Sequence, residues 1–589
     1  MGLVNSEIAS RFTLQLCIEQ SPSTPMMKYL YPFLASTALF LLPTIASAQT
    51  YQPTNRAPVA DLTLGTQVSG NGNNFSITGG VNKGQTLFHS FTDFSVPTDG
   101  QANFTNPVGN RDIITRVTGN LFSDINGLVN TNGANFFLIN PNGIVFGTNA
   151  QLNVGKAFVG STANSLDLVD VGGRMITFGT NPNGDAPLLS VAPNVLFDVS
   201  RLNMGGETGA ISNFGTLQTP NNSQYIGLIG GNVTLNGGKI IAPGGRVDIG
   251  GVNGAGSVSI DNNGLVSSSG IERSNVVLTD DAGIIVRATG TLDTVNTFFN
   301  NATSNGSSIN ISANNLDLLN SGAKLNDRPA ALDAGLEINS GLQTKAAGDI
   351  NIDATGNVSL NNANIKNTLR SGAEGNIGGI KIQAGTLNLK NNSLVSTAIG
   401  GKGNAGNIDL KTSGGINLIN NSAITSDTLG QGDAGKITID TQGKLSVLNN
   451  ASIGSEIAPA GVGNSKDISI NARELELANN SFIFTSTFQT KSVDGKGNAG
   501  NINIKTTADI KVTGDNSSAI NSPTSGGAQI DSSSGGQGDA GKITIDTQGK
   551  LSLVNGGTIN SIIGGTAVGN SKGISINARE LELANNSSI

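Results

Sequence analysis

The chain has 589 residues and a net charge of −7 at pH 7, with 80 glycines, 13% charged residues and no tryptophan. A globular domain usually has about 25% charged residues, and a nucleic-acid partner would favour a basic stripe, which this composition argues against. The 37% hydrophobic content is too high for a disordered chain. Because His89 is the only histidine, a two-histidine metal site is excluded.

Residues 1–48 have the pattern of a signal peptide. Lys28 precedes an apolar run over residues 29–45, and the small residues 46–48 fit a cleavage site. We therefore expect cleavage between Ala48 and Gln49. A retained anchor is the alternative, although the run is short for a membrane-spanning helix.

The residues before Met26 have two explanations, a start assigned too early or an extended signal peptide. Cys17, the only cysteine, lies in this leader, so the expected mature chain contains none. An exported chain without cysteine cannot be locked by a disulfide in the oxidising periplasm.

Three ordered blocks follow in the next part of the chain. The first is Gly79-Gly80 with residues 84–107, which include Leu87-Phe88-His89-Ser90-Phe91, and the second is Ile113-Ile114-Thr115-Arg116-Val117. The third is residues 136–155, where apolar residues flank Asn140-Pro141-Asn142-Gly143. Proline presets φ at one turn position and Asn-Gly tolerates a positive φ at the next. The third block therefore predicts a sharp corner between two buried strands.

In order and in residues these blocks resemble the filamentous haemagglutinin N-terminal domain, the secretion domain of two-partner secretion exoproteins. The resemblance covers residues 55–300 and is densest over residues 79–162. It implies that residues 49–300 are a secretion domain. The secretion motif that it implies consists of Asn140, Pro141, Asn142, Gly143 and Ile144, with Leu87, Phe88, His89, Ser90 and Phe91 as a second block.

The same resemblance implies a partner and a location. The partner would be an outer-membrane β-barrel transporter with periplasmic peptide-binding domains. The protein would pass through the periplasm of a Gram-negative-type bacterium and be secreted or displayed at the cell surface. Glycans or proteins of a host or neighbouring cell are further possible partners, and no nucleic acid is expected.

Residues 301–589 repeat one unit. A glycine turn leads to Ile-x-Ile, as at Ile437 and Ile439, and a polar turn leads to a second pair such as Leu445 and Val447. A third short strand follows near Ile453. Period-two alternation marks strands with one buried face, and repeats of this size are typical of solenoids. We therefore predict an all-β fold, a right-handed parallel β-helix, whose handedness follows the crossover rule and the family.

Asn-Asn pairs recur at one place in the unit, at residues 391–392, 420–421, 449–450, 479–480 and 585–586. Asparagine tolerates a left-handed corner, and stacked asparagines can hydrogen-bond as a ladder. We assign these pairs a structural role. By register with residues 479–483, the chain stops in the middle of a coil at Ile589, so we expect a fragment or a truncated gene.

Several motifs imitate functional sites. The G-x-G-x-x-G matches at residues 401–406, 430–435, 495–500 and 536–541 precede Ile-x-Ile strands, whereas a dinucleotide site requires a helix after the glycines. We expect no cofactor and no metal. For the calcium β-roll that Gly535-Gly536-Gln537-Gly538 suggests, Asp539 comes one residue too early.

Carboxylates are the remaining candidates for catalysis, as in β-helical enzymes that act on polysaccharides. The candidates are Asp280-Asp281, Glu374, and Glu474 with Glu476. Neighbouring residues of a strand point to opposite faces, which separates Asp280 from Asp281. Glu474 and Glu476 share a face, but Glu580 and Glu582 repeat them, which favours a solvated face. His89 is predicted to pack in the core and to hydrogen-bond backbone.

The sequence thus predicts a secreted or surface-displayed exoprotein, adhesin- or haemagglutinin-like and not an enzyme. Two alternatives remain open, a toxin-delivery or haemolysin-type exoprotein that lacks its C-terminal part, and, less favoured, a β-helical polysaccharide-active enzyme. The receptor cannot be inferred from the sequence.

Overall fold

The computed structural model describes residues 50–105, 111–169, 175–181, 201–205, 208–219, 224–261, 264–267, 270–289, 308–319, 331–337, 348–488, 495–514, 527–564 and 567–589. The regular secondary structure of these residues is β-strand. Successive strands turn through three faces, and each strand pairs in parallel with its counterpart in the next coil. The prediction of a parallel β-helix is therefore confirmed. Within the described part of the chain, no helix is long and apolar enough to cross a membrane.

The first two faces belong to one 29-stranded sheet, because the long strands Ile543–Val554 and Ile574–Ala584 run through the corner between them. The other strands of the first face are Thr86–Asp93, Asp112–Val117, Asn135–Ile139, Ala157–Ser161, Tyr225–Gly230, Arg246–Gly251, Ser308–Ala313, Ile350–Ala354, Ile380–Ala384, Ile408–Thr412, Ile437–Thr441, Ile468–Ala472 and Ile502–Thr506. Those of the second face are Ser123–Ile125, Ile144–Phe146, Ile211–Asn213, Val233–Asn236, Val276–Thr279, Leu316–Leu319, Asn357–Asn361, Thr386–Lys390, Ile416–Ile419, Lys444–Leu448, Glu474–Ala478 and Ile510–Thr513.

The third face consists of two sheets. The first, five-stranded sheet contains Thr66–Asn71, Asn74–Gly79, Gln101–Phe104, Leu128–Asn130 and Gln151–Asn153. The second, 12-stranded sheet contains Thr216–Gln218, Lys239–Ile241, Gly283–Ile285, Ala288–Thr289, Ala331–Glu337, Asn364–Leu369, Leu394–Ile399, Ala423–Thr428, Ser452–Ile457, Phe482–Thr487, Gln529–Ser534 and Thr558–Ile563.

Antiparallel strands cover the early coils. Val59–Ala60 and Val81–Lys83 pair antiparallel with Thr86–Asp93, and Thr66–Asn71 pairs antiparallel with Asn74–Gly79. A side sheet, which the sequence did not predict, contains Ser165–Val169, Met175–Gly179, Arg201–Met204, Gly256–Asp261 and Gly264–Ser267.

The side sheet explains why the early first-face strands are buried at almost every position. Leu87 and Phe136 point into the core of the β-helix. Phe88 and Phe137 belong to a second apolar cluster, which includes side-sheet residues such as Phe178. Strands buried on both faces read as continuous apolar runs, whereas the later Ile-x-Ile strands are buried on one face only.

The corners confirm the role predicted for the Asn-Asn pairs. The two residues of each pair have φ between 53° and 63°. Side-chain hydrogen bonds run from Asn420 to Asn391 (2.9 Å), from Asn449 to Asn420 (3.2 Å) and from Asn479 to Asn449 (2.8 Å). Asparagine therefore supplies both the left-handed corner and a polar ladder along the stack.

Candidate functional site

The Asn140 corner joins the first face to the second, between strands Asn135–Ile139 and Ile144–Phe146. Asn140 is fully buried, and its Nδ2 donates to the Leu121 carbonyl and to Ser123 Oγ, both at 3.0 Å. Its Oδ1 accepts from the backbone N–H of Asn142 at 3.0 Å. The side chain thus fixes its own turn and ties it to the preceding coil.

The remaining corner residues pack against the following coil. Ile144 N–H donates to the Ala210 carbonyl at 3.0 Å. Gly143 has φ +119°, and a Cβ there would lie 2.9 Å from the same carbonyl oxygen. Gly143 thus takes the positive φ that the sequence predicted for Asn-Gly. Of the five motif residues, Pro141 is half-buried and only Asn142 is exposed.

The Leu87–Phe91 block lies inside the first-face strand Thr86–Asp93. All five side chains are buried, Leu87 at 2% exposure and the others at 0%. Parallel pairing joins Phe91 to Val117 in the next coil, and Arg116 of that strand pairs with Ile139. One intervening strand, Asp112–Val117, which contains the sequence block Ile113–Val117, therefore stacks between the two motif blocks.

His89 lies among aromatic rings, with its ring centroid 5.3 Å from that of Phe104. Burial lowers the pKa of His89 from 6.5 to about 4, so the ring is neutral at pH 7. The prediction that His89 packs in the core is confirmed, but the expected backbone hydrogen bond was wrong. The contact of Nδ1 is the hydroxyl of Thr66 at 3.3 Å, because the antiparallel strand Thr66–Asn71 places that side chain over the ring.

Arg116 was not singled out by the sequence, yet it connects three parts of the domain. The side chain is 1% exposed. Its Nε donates to Ser90 Oγ at 2.8 Å, one NH group donates to the side-sheet carbonyl of Gly179, and the guanidinium lies 4.7 Å from the Phe178 ring centroid. Its place as the one charge in an apolar block was the signal that could have identified it.

Asp61 completes this network from the N-terminal segment. Its carboxylate accepts hydrogen bonds from Ser90 Oγ, from Thr118 Oγ1 at 2.8 Å and from Thr63. Burial alone would raise the pKa of Asp61, but these hydrogen bonds outweigh it and lower the pKa below its usual value.

The segment before Asp61 crosses the first coils as an extended strap. Tyr51 donates to Asp124 Oδ1 at 2.6 Å, and its ring stacks on Phe214 with centroids 5.3 Å apart. Arg56 pairs with Asp93 at 2.6 Å. Residues close behind the expected cleavage site thus fasten together strands from separate coils. Ala48 and Gln49 themselves lie outside the described residues.

The carboxylates considered for catalysis have structural contacts. Asp280 and Asp281 are not strand residues, which corrects the sequence argument. They form a corner with φ 57° and 65°, because they occupy the place that Asn-Asn pairs take in later coils. Asp281 pairs with Lys239 at 3.2 Å.

The glutamates are also engaged in ion pairs. Glu474 and Glu476 both pair with Lys444, at 3.0 and 2.7 Å, and Lys550 repeats this with Glu580 and Glu582. Lys402 lies 3.8 Å from Glu374. Over the described residues, no three His, Cys, Asp or Glu side chains group in a way that could hold a metal ion.

Residues 56–297 match the family model described as the TPS secretion domain. The chain is similar to the HMW1 secretion domain from Haemophilus influenzae, at 15% identity and a TM-score of 0.39 over 87% of this chain and 97% of that one. It is also similar to the filamentous hemagglutinin secretion domain, at 15% identity and a TM-score of 0.19 over 60% and 97%. No curated protein matches the sequence significantly.

Proposed function

Because residues 56–297 match the family model of the TPS secretion domain, we propose that this chain is an exoprotein exported through an outer-membrane β-barrel transporter. Periplasmic peptide-binding domains of that transporter hold the unfolded chain by adding it as a strand to their sheet edges. The exported chain is released from, or displayed on, a Gram-negative-type cell. There it acts as an adhesin- or haemagglutinin-like structural protein and not as an enzyme.

The buried motif residues are accessible to a partner only before the chain folds. Asn140 and the residues Leu87–Phe91 are hidden in the folded coils. A transporter domain can therefore bind these side chains only while the chain is unfolded. The same residues then build the first coils after export, so one segment serves recognition first and nucleation of the fold second.

Folding outside the cell supplies a driving force for export. Each coil adds parallel strands to the edge left by the coil before, and the core runs unbroken from Ile77 to Ile559. Repeat proteins gain stability through nearest-neighbour contacts and can propagate from one nucleus. Coil-by-coil folding thus draws the chain outward without a nucleotide.

The first experiment separates recognition from folding. Deleting residues 79–162 should leave the chain in the periplasm when the transporter is present. Asn142→Ala changes the exposed motif residue and Asn140→Ala the buried one. If the unfolded motif is read directly, both variants are exported poorly. Normal export of the deletion variant would contradict the proposal.

The second experiment tests folding as the driving force. Leu138→Pro removes a ladder hydrogen bond from a central strand. Thr148→Pro is the matched control, because Thr148 is the second residue of the exposed turn closed by the hydrogen bond from Ala150 N to Gly147 O, where proline is favoured. Only Leu138→Pro should accumulate in the periplasm. Full export of Leu138→Pro with its coils unfolded would refute the driving role.

A further inference from the structure

The outward side chains of the three faces differ in the repeat region. Along the first face they are mainly charged or amide residues, such as the row that joins Lys381 to Asp409. Along the second face they include the row from Asn388 through Asn417 to Ser446. From Ala423–Thr428 to Gln529–Ser534 the third face instead displays mostly small and aromatic residues around carboxylates, whereas Lys366 lies earlier on this face.

Two of these carboxylates stand in register on neighbouring coils. Asp427 pairs with Glu456 across strands Ala423–Thr428 and Ser452–Ile457. Parallel strands lie about 4.8 Å apart, so the two side chains are neighbours. Both pKa values are raised by burial, that of Asp427 to about 7 with a further contribution from the Glu456 charge.

A third carboxylate lies two coils beyond Glu456. Asp531 is in register with Phe484, its Oδ2 accepts from Ser533 at 2.7 Å, and burial raises its pKa to about 6. Within the described residues, no lysine or arginine forms an ion pair with any of the three. Among the described residues, these three positions therefore hold partly buried negative charge without a paired lysine or arginine, which is costly.

Phe484 lies on the strand between those that carry Glu456 and Asp531. A Cβ added to Gly454, its partner in the preceding coil, would lie 2.4 Å from the ring Cζ. The far end of the ring thus lies over Gly454, whose strand also carries Glu456. Any side chain at position 454 would displace the Phe484 ring, so the ring can lie there only because residue 454 is glycine.

Ser486 provides an independent indication that this row contacts a ligand. It follows Glu456 in the same outward row and is 4% exposed. Its Oγ has no hydrogen-bond partner among the described residues, and neither has Asp531 Oδ1. A buried hydroxyl without a partner is unfavourable unless another group forms a hydrogen bond with it.

We propose that this part of the third face binds an organic cation, a protonated amine carried by a second molecule. The ammonium group lies over the Phe484 ring and forms ion pairs with the carboxylates of Asp427 and Glu456. Ser486 Oγ accepts one of its hydrogen bonds. Aromatic faces attract cations most strongly when both are desolvated. The site lies outside residues 56–297 and does not depend on the secretion route.

The test titrates the full exported chain by calorimetry with a glucosamine trimer, its N-acetylated neutral trimer, spermidine and calcium chloride. Binding of the glucosamine trimer or of spermidine supports the proposal, and the stronger of the two identifies a sugar or a free amine as the source. Equal binding of the neutral trimer overturns it, as does binding of calcium in place of both amines, or no binding at all.

Variants then locate the site. Glu456→Gln and Asp427→Asn should each weaken amine binding at least tenfold, and Phe484→Leu should do so without a change of charge. Asp409→Asn and Asp440→Asn, exposed acids on the first face of the same coils, are the matched controls and should bind normally. Unchanged binding in folded Phe484→Leu and Glu456→Gln chains would place the amine elsewhere and refute the assignment.

Discussion

Arg116 Nε donates to Ser90 Oγ at 2.8 Å, and Ser90 Oγ in turn donates to the carboxylate of Asp61. A buried cation in the second coil is thereby connected, through one hydroxyl in the first coil, to an anion in the N-terminal segment. The side sheet joins the same network through Gly179. Four segments far apart in the chain meet at this point.

Replacing Arg116 with Met should destabilise the folded chain by roughly 3 kcal/mol, since it leaves several buried acceptors without a charged donor. The measurement is the free energy of unfolding in urea. Lys381→Met, an exposed first-face cation, is the control and should change it by less than about 0.5 kcal/mol. Similar small losses for both variants would show that the network is not stabilising.

Asn140→Ala should cost about 2 kcal/mol, because it removes two donated bonds and two accepted bonds in a buried corner. Asn142→Ala should cost less, because the Asn142 side chain is exposed. Urea midpoints of the two variants, measured at equal slope, provide the comparison. Equal costs would argue against the corner as the structural role of Asn140.

His89 should make stability fall as the pH drops from about 6.5 to about 4. The pKa of His89 is lowered in the folded chain, so on acidification the unfolded chain takes up the proton first. The free energy of unfolding therefore keeps its full value above pH 6.5 and falls as the pH drops below it. At about 1.4 kcal/mol per pH unit the loss approaches about 3 kcal/mol. His89→Leu should remove this part of the pH dependence in urea unfolding at pH 7 and pH 4. An unchanged slope would contradict the lowered pKa.

Asn420 combines φ 57° with ladder bonds to Asn391 and Asn449. Asn420→Gly should lose only the ladder bonds, about 1 kcal/mol in total for exposed groups. Asn420→Ala should lose the same bonds and in addition strain the left-handed backbone by about 1 kcal/mol. Thermal unfolding of the two variants tests this order. A more stable Ala variant would show that the corner does not need a left-handed residue.

Asp427→Asn should raise the melting temperature at pH 8 and leave it nearly unchanged near pH 4. The pKa of Asp427 is about 7 in the folded chain, above the usual 3.8, so the folded chain keeps this proton to a higher pH than the unfolded chain. The stability that the protonated carboxyl contributes is therefore lost as the pH rises through 7. Glu456 is the charged residue that faces it from the neighbouring strands, since the strand Leu394–Ile399 carries no charge. A lower melting temperature at pH 8, relative to Asp409→Asn, would contradict the burial of an unpaired charge.

In the repeat region, the local sequence pattern predicts both the buried strand positions and the corner conformation. Ile437 and Ile439 are both fully buried, and the Asn-Asn corners have the left-handed backbone that the sequence predicted. Strand alternation and corner conformation depend on residues within a few positions of each other. Because each unit repeats the last, a local pattern also fixes which strand pairs with which.

The sequence by itself therefore determined the stack of parallel coils, its three strands per unit and the corner at Asn140. The tertiary structure alone decided what covers those coils. The side sheet pairs Ser165 with Asn203 and Arg201 with Ser259, and the Phe484 ring finds Gly454 one coil away. Such contacts join residues by register across the stack. Period-two alternation does not predict these contacts, because it determines which side of a strand is buried but not what packs against that side.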